Sequence, residues 1–172
     1  MTTVNGGGSW SFYYTPVVAG ELHSVSCPSV TVCFAVGTFG GNSFGQGGVI
    51  LSTTDGGSSW NLVYSASSSS GIDSFYGVSC PSLSTCFAVG YSGLNSTSLI
   101  VATTNGGSTW NNQTVPDNQS GFGPWLDSIS CPTTTTCFAA SESSAGPLSN
   151  GLILTTSNGG SSWTYQSAPN ND

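Results

Sequence analysis

An eight-residue turn motif recurs along the chain and constrains the fold more than any other feature. It has the form Thr-x-Asp/Asn-Gly-Gly-x-Ser/Thr-Trp, and its copies span 3–10, 53–60, 103–110 and 156–163, about 50 residues apart. The Asp or Asn side chain accepts hydrogen bonds from the backbone just ahead, and the glycines supply left-handed conformations that other residues resist. A Ser or Thr hydroxyl adds a bond across the turn, which the tryptophan covers. The anchors are Asn5 and Trp10, Asp55 and Trp60, Asn105 and Trp110, and Asn158 and Trp163.

Strand-like runs flank the turns. Apolar runs at 49–51, 99–101 and 152–154 precede the last three copies, and runs such as 60–64 follow them. This arrangement predicts a β-hairpin whose turn is fixed by its own side chains.

A second motif recurs with nearly the same period as the first. Ser-Cys-Pro begins at Ser26, Ser79 and Ser130, and each time a second cysteine follows the first by six positions, as in Cys27 and Cys33. One strand is expected to end at the first cysteine and another to begin at the second. With the two strands of the turn, each repeat therefore has four strands, which is the content of one propeller blade. No stretch has helical periodicity.

The turn motif resembles the Asp-box, or BNR repeat, of the β-propeller blades in sialidases, sortilin-like receptors and photosystem assembly factors. The resemblance implies an all-β fold of β-propeller-like repeats, here three four-stranded blades plus an extra N-terminal strand. Asn5, Asn105 and Asn158 stand where the family has Asp, so we interpret the motif as a turn stabiliser and not as a catalytic site. The family contains enzymes, receptors and assembly factors, so the resemblance implies no single function.

The repeats divide one domain, 1–172, into units at about 15–64, 65–115 and 116–168, with 1–14 left over. Three blades are fewer than the roughly four of the smallest closed propellers. We therefore expect several chains to complete a ring, or the blades to stack in an open array, or the chain to be a piece of a longer protein. The spare strand at 9–14 is a candidate to pair with an exposed edge of a neighbouring chain.

The six cysteines are interpreted as three local disulfides. Six cysteines allow 15 pairings, but the repeat selects the pairs six residues apart, each worth roughly 2 kcal/mol by the loop-entropy model. A metal or redox site is the weaker alternative, because zinc sites use shorter spacings. The predicted pairs are Cys27 with Cys33, Cys80 with Cys86 and Cys131 with Cys137.

The composition excludes several kinds of function. The chain has no Lys or Arg and 7 Asp and Glu, for a formal charge of −7, and charged residues are 4% of its 172 residues. It offers no basic patch for nucleic acid, no cationic clamp for phosphate and no Schiff-base lysine. The resemblance to sialidases does not extend to activity, because those enzymes bind substrate through arginines. So little charge provides little repulsion between copies, which favours assembly.

Candidate binding residues are those at which the repeats differ near strand ends, where propellers place binding loops. Counted from the cysteines, the sets are Glu21, Ser74 and Trp125; His23, Tyr76 and Asp127; and Thr38, Tyr91 and Glu142. We predict that Trp125, Tyr91 and Glu142 form a binding cluster on one face. A triad through His23 lacks the Gly-x-Ser-x-Gly elbow. No spacing selects a glycosidase pair from Glu21, Asp73, Asp117, Asp127 and Glu142. We expect neither an enzyme nor a metal or cofactor.

The disulfides favour an extracellular or cell-surface location. No apolar run approaches the roughly 18 residues of a membrane span, and residues 1–4 lack the start of a secretory signal. We read the chain as a processed form or as a piece of something longer. Glycosylation sequons begin at Asn95, Asn112 and Asn118, all in predicted loops.

Two functional hypotheses follow. The first is a secreted structural protein that assembles with copies of itself, for example as a filament or surface-layer subunit, through β-strand exchange between chains. The alternative is a glycan- or protein-binding module from a larger secreted propeller. A hydrolase is the least favoured reading, and nucleic acid and membrane insertion are not expected.

Overall fold

Three antiparallel four-stranded sheets make up the fold. The computed structural model describes residues 3, 5–12, 20–39, 47–66, 73–93, 97–116, 124–141 and 151–167, and within them all regular elements are strands. Blade 1 contains β1 (Gly20–Ser26), β2 (Cys33–Phe39), β3 (Gly47–Thr53) and β4 (Asn61–Ala66). Blade 2 contains β5 (Asp73–Ser79), β6 (Cys86–Ser92), β7 (Thr97–Thr103) and β8 (Asn111–Asn112). Blade 3 contains β9 (Leu126–Ser130), β10 (Cys137–Ser141), β11 (Leu152–Thr156) and β12 (Thr164–Ser167).

Each blade is a meander in which sequential strands are neighbours, with its first strand along one edge and its fourth along the other. The predicted all-β class of blade-like repeats is confirmed. The described residues contain no helix with the length and apolar character needed to cross a membrane.

The second strands of blades 1 and 2 are buried on both faces. In β6, Phe87, Ala88 and Val89 alternate in direction, yet all three are fully buried. Such a continuous apolar run is the pattern expected of a strand covered on both faces. The corresponding strand of blade 3 behaves differently, because Phe138 on β10 is exposed while Ala139 is buried.

Neighbouring blades approach each other through their first strands, since β1 lies beside β5 and β5 lies beside β9. Two apolar cores of the same construction fill the spaces between blades. The first joins Phe34, Val36 and Ile50 of blade 1 to Phe75, Val78 and Trp110 of blade 2. The second joins Phe87, Val89 and Ile100 of blade 2 to Leu126, Ile129 and Trp163 of blade 3.

Two polar and aromatic contacts repeat at both junctions. The Phe34 and Trp110 rings meet edge to face at 6.0 Å, as do Phe87 and Trp163 at 6.3 Å. The backbone N–H of Cys80 donates to Ser26 Oγ at 3.0 Å, and that of Cys131 donates to Ser79 Oγ at 3.0 Å. The sequence motifs thus place one recurring set of contacts at every junction between blades.

Parts of the chain differ from the sequence-based expectation. Of the extra N-terminal strand predicted at 9–14, the structure describes residues 9–12, which contain a single β-bridge at Ser11; residues 13 and 14 lie outside the described residues. Asn112 was predicted to lie in a loop, but it lies in β8 with its side chain exposed, because the strand after Trp110 continues for two residues. Asn95, Asn118 and Glu142 lie outside the described residues.

Gly90 is required where β5 and β6 approach most closely. A Cβ at this position would overlap the carbonyl oxygen of Ser74 on the paired strand. Because backbone atoms cannot rotate away, we expect Gly90→Ala to lower the free energy of unfolding by about 2 to 3 kcal/mol. Urea unfolding will measure this. Gly151→Ala is the matched control, since its nearest atom would lie at 3.5 Å; an equal loss in both variants would contradict the prediction.

Candidate functional site

The four Gly-Gly turns are closed by their own side chains. In the second copy, the backbone N–H of Ser59 donates to Asp55 Oδ1 at 2.9 Å and the Thr53 hydroxyl donates to the same oxygen at 2.7 Å. The N–H of Gly57 donates to Thr53 Oγ1 at 3.0 Å. The same bonds recur in the other three copies, and every glycine pair has positive φ. Because the polar groups of each turn are hydrogen-bonded to one another, few donors and acceptors remain for a ligand.

The turns also fix the tips of their own blades. The first glycine of each complete turn donates to a carbonyl in the cysteine loop of the same blade. The bonds run from Gly56 to Thr31 at 3.0 Å, from Gly106 to Ser84 at 2.9 Å and from Gly159 to Thr135 at 2.9 Å. Each blade therefore has its disulfide and its Gly-Gly turn at one end, which leaves the opposite end for other contacts.

Asp55 provides a pH test of the turn. Hydrogen bonds from the Ser59 hydroxyl, the Ser59 N–H and the Thr53 hydroxyl lower the pKa of Asp55 from 3.8 to about 2. A lowered folded-state pKa stabilises the fold above pH 3.8, and that contribution is lost as the pH falls towards 2. We expect Asp55→Asn, which copies the turns at Asn105 and Asn158, to remove this part of the acid sensitivity. NMR titration of the Asp55 carboxylate and melting curves of the variant at several pH values will check this prediction. An Asp55 pKa near 3.8 in the folded chain would contradict it.

The disulfides of the structure are those predicted from the repeat. Cys27 is bonded to Cys33, Cys80 to Cys86 and Cys131 to Cys137. No cysteine in the described part of the chain is free, and no group of three or more His, Cys, Asp or Glu side chains is placed there to hold a metal ion. Three disulfides point to an oxidising compartment.

A β-bulge interrupts the first strand of every blade at the same position. The pairing skips His23 between Leu22 and Ser24 on β1, and it skips Tyr76 between Phe75 and Gly77 on β5. On β9 it skips Asp127. A bulge leaves the extra residue unpaired in the ladder and turns its side chain in a new direction. The three bulges therefore present the residues that differ between repeats.

Four rings form a continuous row across these strands, which we call the aromatic row: His23, Tyr76, Trp125 and Tyr91. His23 lies 5.1 Å from Tyr76, measured between ring centroids. Tyr76 and Trp125 are 6.4 Å apart and nearly parallel, at 8°, and Trp125 lies 4.9 Å from Tyr91. Trp125 is 46% exposed, His23 is exposed, and the two tyrosines are half-buried.

The row brings together two of the three residues predicted to bind. Trp125 and Tyr91 are in contact, whereas Glu142 lies outside the described residues. Sequence reasoning named Tyr76 and His23 as variable positions but did not place them in this cluster. His23 and Tyr76 lie at the same distance before the first cysteine of their blades. Because the first strands of neighbouring blades lie side by side, this shared position was the sequence signal that could have placed them in the cluster.

Acidic side chains occur on the same strands as the row. Of the four acidic residues that the structure describes, three lie on the first strands of the blades: Glu21, Asp73 and Asp127. Glu21 and Asp127 are exposed, whereas the Asp73 carboxyl is 9% exposed and its Oδ1 has no hydrogen-bond partner. Burial, and then the charge of Asp73, raise the pKa of Tyr64.

Blade 3 leaves a half-junction uncovered, and blade 1 leaves the apolar side chains of its first strand uncovered, although Ala35 and Leu51 on the same face are buried. Phe138 and Ile153 of blade 3 are 45% and 39% exposed, although their counterparts in blades 1 and 2 are buried. Leu22 and Val25 of blade 1 are 49% and 60% exposed, although their counterparts in blades 2 and 3 are buried. We call these surfaces the blade 3 outer face and the blade 1 outer face.

Three meanders joined through their first strands are the arrangement of propeller blades. The fold is that of β-propeller blades. A solved structure, "YCF48 bound to D1 peptide", is similar with a TM-score of 0.65 and 16% sequence identity, over 88% of this chain and 40% of that chain. This chain thus spans about two fifths of that chain's length, and at such identity the likeness shows the fold alone. No protein-family model and no curated protein sequence matches the chain.

Proposed function

We propose that the chain is a secreted, noncatalytic structural protein whose copies associate head to tail. The blade 3 outer face of one copy packs on the blade 1 outer face of the next. One observation carries the proposal: Phe138 is 45% exposed, whereas Phe34 and Phe87, at the same position of the preceding blades, are 1% exposed.

The two outer faces are the two halves of one junction. A junction needs Phe and Ile from one blade and first-strand apolar residues with a Trp from the next. Blade 3 supplies the first half with Phe138 and Ile153. Blade 1 supplies the second half with Leu22, Val25 and Trp60, the last of which is half-buried. A second copy therefore offers first-strand residues of the kind that already pack twice within each chain, beside Ala35 and Leu51, which are buried in the single copy.

The polar contact of the junction is also repeated at the outer faces. Ser130 stands where Ser26 and Ser79 accept a hydrogen bond from the next blade, and its side chain is exposed. Cys27 stands where Cys80 and Cys131 donate that bond. In the assembly we expect the Cys27 N–H of one copy to donate to Ser130 Oγ of its neighbour.

Face packing takes the place of strand exchange in this proposal. The outer faces lie in the described part of the chain, whereas only residues 9–12 of the predicted N-terminal strand are described, with a bridge at Ser11. The two outer faces differ, so the contact is heterologous and either closes a ring or continues as a filament. With a net charge of −7 spread over 172 residues, repulsion opposes it weakly.

The test is the state of association of the native, non-reduced chain. Sedimentation velocity over a range of concentrations should give a growing series of oligomers, and electron microscopy should show rings or fibres. A single monomeric species at all concentrations would refute self-assembly.

A binding module is the second candidate, and the aromatic row favours it. Exposed, stacked aromatic side chains are typical of recognition surfaces, and the similar solved structure is described as bound to a peptide. On this reading the module recognises a glycan or a protein. Loss of glycan-array or protein binding in Trp125→Ala, with assembly unchanged, would support it.

A further inference from the structure

We propose that the aromatic row binds the cationic side chains of a basic segment in a partner protein. The inference rests on the second candidate function and names the chemical class of its ligand. The observation behind it is the coincidence of a partly exposed aromatic row with exposed acidic side chains on β1 and β9, in a chain without any Lys or Arg.

The geometry of the row suits a cation. Trp gives the strongest attraction among the aromatic residues, and Trp125 is 46% exposed. Tyr76 and Tyr91 both pack against it, so the indole is held in place before a ligand arrives. A guanidinium or ammonium group placed over Trp125 would also lie close to the rings of its neighbours.

The charge around the row favours the same ligand. Glu21 and Asp127 are exposed on β1 and β9, the outer two of the three first strands. The chain has no Lys or Arg, so none of its own side chains carries a permanent positive charge. The net charge of −7 also attracts basic segments from a distance.

Other classes of ligand would interact with either the rings or the carboxylates but not with both. An anionic ligand would meet carboxylates and no cationic donor. A neutral glycan could stack on Trp125 but would derive nothing from the charge of Glu21 or Asp127. A basic segment uses both the rings and the carboxylates, so it accounts for both features.

The experiment compares two peptides on the intact, non-reduced chain. One is an octapeptide of alternating Gly and Arg; the other replaces each Arg with citrulline, which keeps the shape and removes the charge. Calorimetry at low salt should detect binding of the Arg peptide only. In Trp125→Ala, which leaves the protein's charge unchanged, affinity should fall about threefold to thirtyfold. Trp10→Ala, at another exposed tryptophan outside the row, should leave the affinity unchanged.

A second variant keeps the proposal testable if Trp125→Ala disrupts the local fold. Glu21→Gln preserves size on an exposed position, and it should weaken binding and reduce its salt dependence. Equal binding of the citrulline peptide would overturn the cationic assignment and leave a binding module for neutral ligands. Equal affinity of Trp125→Ala and the unaltered chain would also overturn it, as would the absence of Arg-peptide binding. If glycan binding also proved independent of Trp125, the second candidate function would fail as well.

Discussion

Phe138→Ser is expected to convert assembled protein into monomers. The side chain is 45% exposed in a single copy, so the fold tolerates the change. In the assembly it would be buried as Phe34 and Phe87 are, and removing a buried phenylalanine costs about 3 to 5 kcal/mol. Since part of the ring is already covered, we expect about 2 to 4 kcal/mol per junction, a roughly 30- to 1000-fold weaker association. Sedimentation velocity at a fixed concentration will measure the shift.

Two variants serve as controls for this result. Phe12→Ser removes an equally large ring that is 76% exposed and is not among the residues that define either outer face, so assembly should persist. Phe87→Ser removes the corresponding ring from a junction within the chain and should destabilise the fold itself. If Phe12→Ser abolished assembly while Phe138→Ser preserved it, strand exchange through the N-terminal segment would replace face packing.

Reduction of the three disulfides is expected to remove a large part of the stability of the chain. Each closes a loop with a sequence separation of 6, which is worth about 2 kcal/mol by the loop-entropy model. Three such loops are worth roughly 6 kcal/mol, against about 5 to 15 kcal/mol for a whole domain. Urea unfolding with and without reductant will measure the difference, with thiol titration to show that reduction is complete.

Paired substitutions separate the disulfides from one another. Replacing Cys80 and Cys86 by Ala should cost more than replacing Cys27 and Cys33, because Cys86 is fully buried between blades 1 and 2 whereas Cys27 is exposed. An unchanged urea midpoint after complete reduction would show that the loops contribute nothing to the fold.

Local features of the fold could be predicted from the sequence because local interactions determine them. The turn around Asn105 is closed by Thr103 and Thr109, no more than four positions away. The bonded cysteines are likewise close in sequence. Because the same motifs recur in each repeat, the local structure predicted for one blade applies to the next. Three similar sheets could therefore be expected from a few motifs.

Features that depend on neighbours distant in sequence could not be predicted. Phe34 and Phe138 both follow a cysteine and precede an alanine, yet one is buried and the other exposed, because only the first has a blade packed against it. The bulges at His23 and Tyr76 arise from the pairing of two strands. The repeats predicted that Trp125 and Tyr91 lie together, but the contact of Trp125 with Tyr76 depends on blades 2 and 3 being placed side by side, which no local pattern specifies.

Because the two junctions are built in the same way, the number of blades in a chain determines how many equivalent junctions stabilise it. Blade 2 packs against another blade on both faces, whereas blades 1 and 3 each pack against one blade, so a pair of blades is the smallest unit that contains a complete junction. Adding or deleting a blade by gene duplication or loss would change how many junctions exist and leave the chemistry of each intact. Stability in such a series grows by nearly equal steps, and the terminal blades open before the middle ones.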